Sequence, residues 1–206
     1  MTTLTIDTFK RMLNRALNRM REHQDEFSRL DAVLGDGDHG MAVVTAMTAA
    51  VETAENGTEF KSMLGDIGMN VMLQTSGSTS TLLGAFFLGM SDHSEGTILD
   101  TAAVKKMFAG GLLNIRTQTR AKQGDKTMMD ALIPAIETIT SDSSDNLQDL
   151  FNAAATAAHS GAEATAGMKA VFGRARNYGD RSIGHADAGA MSWACMIAAF
   201  AEVLND

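Results

Sequence analysis

The sequence predicts an all-α fold of eight amphipathic, antiparallel helices. Three observations predict it. Apolar residues recur at helical spacing along most of the chain. The composition holds 1 proline and 15 methionines, with aromatic residues at 5%, which favours helix over a sandwich built on proline-rich turns. Polar turns containing glycine, serine or asparagine separate the apolar segments. With 206 residues, 45% of them apolar, the chain is long enough for one domain, 1–206, with its own core. Few aromatics leave aliphatic and methionine side chains to fill that core.

The first helix spans 5–22, with Ile6, Phe9, Met12, Leu13, Leu17 and Met20 on one face and charge opposite. A polar break follows, and Phe27, Leu30, Val33 and Leu34 lead into an acidic turn. The second helix runs from about 40 to 54 and ends at Asn56-Gly57. The third covers 59–74, striped by Leu64, Ile67, Val71 and Met72. A hydroxyl-rich turn, 75–81, opens the fourth helix at Leu82-Leu83. The fifth covers 100–116, and the sixth continues from Ala131 to Ile139, with Pro134 kinking it or marking its first turn. The seventh is an alanine-rich helix over 147–171, and an apolar helix to about Leu204 closes the chain.

Net charge is −8 and no basic run exists, which argues against nucleic acid as a partner. The single Cys195 lies in an apolar helix and reads as an inert buried thiol. The chain starts without a charged, then apolar leader, and the apolar run 188–201 is broken by Ser192 and short for a membrane span. The expectation is a cytoplasmic protein with no membrane partner.

The turn before the second helix reads Asp31-Ala32-Val33-Leu34-Gly35-Asp36-Gly37-Asp38-His39-Gly40. Three carboxylates this close repel one another unless a cation offsets them. Hard oxygen ligands with little room suit Mg²⁺. An EF-hand is excluded, because counting from Asp36 puts Met41 at position 6 and Met47 at position 12. The Ser/Thr turn, including Ser78 and Thr79, is a helix cap or a phosphate cradle, since a helix start offers free N–H groups and a favourable dipole. Lys126-Thr127 lacks the glycine that a Walker loop needs before its lysine; Asp125 stands there. The stretch 173–189 carries 4 glycines and 3 arginines, unusually long for a plain connection. Its Arg174 suits bidentate pairing with phosphate. In an up-and-down bundle every second connection lies at one end. The turns before the second, fourth, sixth and eighth helices are the unusual ones, so they gather at one end, and the remaining turns are plain.

These motifs resemble a known family. Leu30-Asp31 through Gly40, Gly124-Asp125-Lys126-Thr127-Met128, and Gly173-Arg174-Ala175 with Arg181-Ser182-Ile183-Gly184-His185, Asp187 and Gly189-Ala190 are similar to the L subunit, or nucleotide-binding domain, of dihydroxyacetone kinases. The resemblance covers essentially the whole chain. It implies a closed barrel of eight antiparallel helices, with ADP or ATP at one end and two Mg²⁺ held by Asp31, Asp36 and Asp38. It places His39, Gly40, Ser78, Thr79, Met128, Arg174, Asp187 and Gly189 around the nucleotide, with Arg174 offsetting charge during phosphoryl transfer. It further implies a separate K-type subunit that carries the ketose on its own histidine. In members of the phosphotransferase-system type, bound ADP is rephosphorylated in place by a phosphoprotein M subunit; other members exchange ATP. A homodimer is left open. The sequence departs from the family pattern at Ser76, Ser80, Ala42, Ala188 and Thr119. The implied activity is a phosphotransferase subunit acting on a short ketose hydroxyl. The alternatives are a paralogue acting on another short ketose such as erythrulose, or a non-catalytic module reporting nucleotide state. The fatty-acid-kinase nucleotide domain carries a Gly-Ala-Arg-Gly-Asn-Ser-type cradle, absent here.

Overall fold

Thr5 accepts a hydrogen bond from the Thr8 backbone N–H at 3.1 Å and so starts helix α1 (Ile6–Glu22), whose predicted apolar face is buried throughout. The computed structural model describes residues 2–74 and 77–205. Within them the fold is mostly helical. After α1 come α2 (Gln24–Leu34), α3 (His39–Ala54), α4 (Phe60–Gln74) and α5 (Ser78–Asp92). Then follow α6 (Thr101–Gln118), α7 (Met129–Ser141), α8 (Leu147–Ala164) and α9 (Ala188–Asn205). Helix α3 packs on α1 and α4, α4 on α5, α5 on α6, α6 on α7, α7 on α8, α8 on α9, and α9 back on α1. Helix α2 lies outside this sequence of neighbours, against α3 and α9.

The fold departs from expectation at α2, at two short strands and at the end of α8. Residues 24–34 form a helix of their own, because Asp25 and Glu26 sit in its first turn and only Phe27 and Leu34 need burial. Two buried positions are too few to write a periodic stripe. Strands β1 (Thr3–Thr5) and β2 (Ile98–Asp100) pair antiparallel with Leu4 opposite Leu99, each too short to leave a period-2 signal. The alanine-rich helix stops at Ala164, not at 171, since Thr165 turns its hydroxyl back to the Ala162 carbonyl at 2.5 Å and opens a short 3₁₀ turn.

Pro134 lies inside α7, where it cannot donate to the Asp130 carbonyl. Gly161 of α8 packs against that freed carbonyl, and any side chain there would collide with it. The few aromatic rings are concentrated rather than scattered. Edge-to-face and tilted contacts run Phe60–Phe9–Phe200–Phe108–Phe86–Trp193, with Phe151 against Phe108 at 5.1 Å between centroids. These rings join α4, α1, α9, α6, α5 and α8 through one interior. Helix α9 is 18 residues long and apolar enough to cross a membrane by length and composition, but 61% of it is buried against its neighbours, as a core helix is.

Candidate functional site

The acidic turn is built on the end of α2. The last turn of that helix carries Asp31, whose Oδ2 accepts the Gly37 N–H at 2.8 Å, and Gly37 takes a left-handed backbone, φ 79°, to make that bond. The bond aims the chain so that Asp36 and Asp38 turn back toward Asp31. Carboxylate oxygens of Asp31, Asp36 and Asp38 all lie within 4.8 Å of one another. Asp31 is half-buried and the other two are exposed, so the cluster opens to solvent on one side. Arg174 of the long loop before α9 forms an ion pair with Asp36.

His39 follows as the first residue of α3. Its Nε2 lies 2.9 Å from Ser192 Oγ of α9, and its Nδ1 lies 3.4 Å from Thr79 Oγ1 of α5. Ser192 donates its own proton to the Gly189 carbonyl at 3.0 Å, so Nε2 carries the imidazole proton and Nδ1 accepts from Thr79. Burial lowers the His39 pKa below the ordinary histidine range, with the Asp31 charge opposing. Gly189 continues the chain of contacts, since a side chain there would stand 3.5 Å from Met128 Cβ and 3.1 Å from Asp187 Oδ2. Asp187 caps α9 by accepting the Ala190 N–H at 2.8 Å. Gly40 is buried where α3 crosses α2, and any side chain would strike the Gln24 carbonyl and Ser28. Thr75 and Ser76 lie outside the described residues. Ser78 is exposed at the start of α5, behind Gly77 at φ 127°. Ser80 is buried inside that helix, and the only positive φ among the described non-glycine residues belongs to Lys126, so Ser80→Gly has no strain to relieve.

The turns before α3, α5, α7 and α9 therefore come together: Asp36 pairs with Arg174, His39 meets Thr79, and Met128 lies close enough to Gly189 that a side chain there would be in van der Waals contact with it. The arrangement is one mouth with three carboxylates, an arginine and a helix start around it. Residues 33–202 match the DAK2 domain. The chain belongs to the DAK2 domain family. It is 31% identical over 98% of its length to the PTS-dependent dihydroxyacetone kinase, ADP-binding subunit DhaL, of Lactococcus lactis, of which it covers 99%. It is 33% identical to the D-erythrulose kinase of Mycolicibacterium smegmatis over 89% of its own length, but spans only 34% of that protein. In fold it resembles the dihydroxyacetone kinase of C. freundii in complex with AMP-PNP and Mg²⁺, at a TM-score of 0.72 and 23% identity, covering 93% of this chain and 33% of that one.

In this DAK2 domain, Ser192 and Asp130 carry no role legible in the sequence, and Lys126 enters it only through its motif. Ser192 reads only as an interruption of an apolar helix, yet it ties His39 to α9. A lone hydroxyl one turn after Asp187 was the available signal. Asp130 is fully buried at the start of α7 and accepts the N–H groups of Gly124 at 2.5 Å and Thr127 at 2.8 Å. Lys126 is buried, with its Nζ donating to the Thr165 carbonyl at 2.5 Å and to the His185 carbonyl. Burial lowers its pKa, and the charges of Asp187 and Asp130 oppose that shift. Cys195 is half-buried, its thiol pushed up to about 11 by burial.

Burial raises the Asp187 pKa to about 6, against the Ala190 hydrogen bond and the Lys126 charge. The folded state therefore holds this proton more tightly than the unfolded chain. Stability from this group is full below the ordinary carboxylate pKa and is lost as pH rises to about 6. Asp187→Asn is expected to remove that loss, so its advantage over wild type should grow between pH 4 and 6, as scored by urea midpoints of metal-free protein. A constant difference across that range would mean that Asp187 is not proton-linked to folding.

Proposed function

We propose that this chain is the nucleotide-holding subunit of a ketose kinase, with ADP or ATP and two Mg²⁺ at the mouth. The observation that carries the reading is the cluster Asp31, Asp36 and Asp38 within 4.8 Å, with Arg174 beside it. The donor set fits the metal: three carboxylates, Asp31 fixed by Gly37, Asp36 held by an exposed pair with Arg174 and Asp38 exposed, open toward solvent where phosphate oxygens would complete the shell. When bound, Mg²⁺ supplies charge neutralisation for phosphoryl transfer. The chain's own residues do the rest. Arg174 exchanges Asp36 for phosphate, a cheap exchange because the pair is exposed. Ser78 and Thr79 sit at the start of α5, where the helix dipole favours an anion. His39, kept neutral, orients Thr79. Gly40, Met128, Asp187 and Gly189 frame the nucleotide. The eight long helices, α2 aside, close as an up-and-down barrel whose interior supports this mouth.

The ketose is held by a separate K-type subunit, and the phosphate comes from ATP or from a phosphoprotein M subunit that recharges bound ADP. The ADP-binding DhaL relative supports the second donor. The D-erythrulose kinase relative keeps erythrulose beside dihydroxyacetone as an acceptor. A cytoplasmic location follows from such partners. Mixing the chain with a K-type partner, either ketose, and either ATP or phosphorylated M protein tests the reading by ketose phosphate formed. Tight Mg-ADP binding without product under either donor would favour the nucleotide-reporting module instead.

A smaller effect is expected at α5. Thr79→Ala should weaken Mg-ADP by about 1–3 kcal/mol through a lost charge-assisted hydrogen bond. Calorimetric titration checks it; unchanged affinity would leave the hydroxyl turn as a helix cap only.

A further inference from the structure

We propose that Lys126 is the positioning residue of the loop that carries Arg174, clasping both ends of that loop with one buried ammonium. The loop leaves α8 at Thr165 and enters α9 at Asp187. Its two ends are stitched together: the Asp187 N–H donates to Thr165 Oγ1 at 2.9 Å, the Gly184 N–H to the Ala166 carbonyl at 2.7 Å, and the Ala170 N–H to Ser182 Oγ at 2.9 Å. Beyond these stitches the tip, 171–181, is largely exposed and holds Arg174.

The stitches fix the ends to each other, but none of them reaches the turn before α7 that carries Met128. Lys126 makes that link. Its ammonium donates to one carbonyl from each end, Thr165 and His185, and the neighbouring Asp125 carbonyl accepts the Val171 N–H at 3.4 Å. Lys126 in turn belongs to a turn held by buried Asp130, on the same segment as Met128. The lysine adopts a left-handed backbone, φ 60°, which non-glycine residues avoid unless their surroundings enforce it. The residue is only 1% exposed. A buried ammonium is costly without acceptors, and here the acceptors are the two loop ends. The ammonium thus sets where the loop stands above Asp36.

This inference rests on reading the mouth as the nucleotide site, and the experiment separates the two. Lys126→Met removes the ammonium, and Lys126→Gly removes it while relieving the left-handed backbone, so one variant folds even if the strained turn cannot tolerate the other. Amide hydrogen exchange at Ala170, Gly184 and Asp187 is compared with that of α1 and α6. Mg-ADP affinity is titrated alongside. The expected result is loop exchange faster by about tenfold or more with the core helices unchanged. Mg-ADP affinity should fall by about tenfold or more, since misplacing a binding group by an ångström is costly. Lys126→Arg, which retains the charge, should recover part of both. Unchanged exchange at those amides would overturn the clasp. Faster exchange with affinity within about twofold of wild type would overturn positioning, because a merely structural lysine would leave binding intact. If wild type itself fails to bind Mg-ADP, the nucleotide reading falls alone, and the exchange result still upholds or overturns the clasp.

Discussion

Asp36→Asn and Asp38→Asn are each expected to abolish Mg²⁺-dependent nucleotide binding while leaving the metal-free fold as stable as wild type or more stable. Both carboxylates are exposed, and their closeness to Asp31 is a repulsion that the empty-handed protein gains nothing from. The Arg174 partner recovers little of it for Asp36, because an exposed ion pair contributes about 0–1 kcal/mol. Asp31→Asn should behave differently. It removes another of the three proposed ligands and also weakens the acceptor of the Gly37 N–H, so it should cost about 1 kcal/mol of folding stability as well. Titration with Mg-ADP, paired with urea unfolding in chelator, distinguishes the cases. Metal-free Asp36→Asn that unfolds far more easily than wild type, with nucleotide affinity retained, would make the cluster structural and misplace the site.

The largest loss of stability is expected at Asp130→Ala. This carboxylate is fully buried and each oxygen accepts a backbone N–H, from Gly124 and from Thr127. Removing it strands both donors and strips a negative charge from beside the buried Lys126 ammonium. The expected cost is about 3 kcal/mol, since hydrogen bonds to a charged group are worth about 1.5–3 kcal/mol and buried donors left unmade add to that. Urea unfolding of the metal-free variant measures it. A loss below about 1 kcal/mol would mean that water replaces the carboxylate and that the turn before α7 is not held from inside.

The helical class and the long helices were legible because each buries a stripe that repeats every three to four residues, as in α1 and α4. What failed was short or lightly buried: α2 with two buried positions, and two strands of 3 residues each. The end of α8 was unreadable for another reason. Alanine runs on to Ala166, and the stop is made at Thr165, whose hydroxyl turns back to the Ala162 carbonyl and whose own carbonyl accepts from the distant Lys126. At the mouth, the acidic turn was legible because three acids and two glycines leave few benign explanations. The Lys126–Asp130 turn was only half legible. Its motif is visible in the chain, but burial of a lysine depends on carbonyls that lie 39 and 59 residues away. Ser192 and Thr165 act the same way, through partners that no local pattern announces.

The first and last described elements meet far from the mouth. Strand β1 pairs with β2 and leads directly into α1, Thr101 at the start of α6 bonds the Thr2 carbonyl at 3.2 Å, and Asn205 at the end of α9 exchanges hydrogen bonds with Asn152 near the start of α8. Helices α1 and α9 lie side by side and antiparallel, Phe9 near the start of α1 meeting Phe200 near the end of α9, whereas Ser192 near the start of α9 meets His39 beside the carboxylates, so the first and last described residues lie away from the mouth. A circular permutant joining 205 to 2 and reopening at Asn56-Gly57 should keep the same fold, because every helix-to-helix neighbour is retained. The same geometry lets one architecture serve as a free-standing chain, as in the relative it covers to 99%, and as about a third of a longer one, as in the relative it covers to 34%.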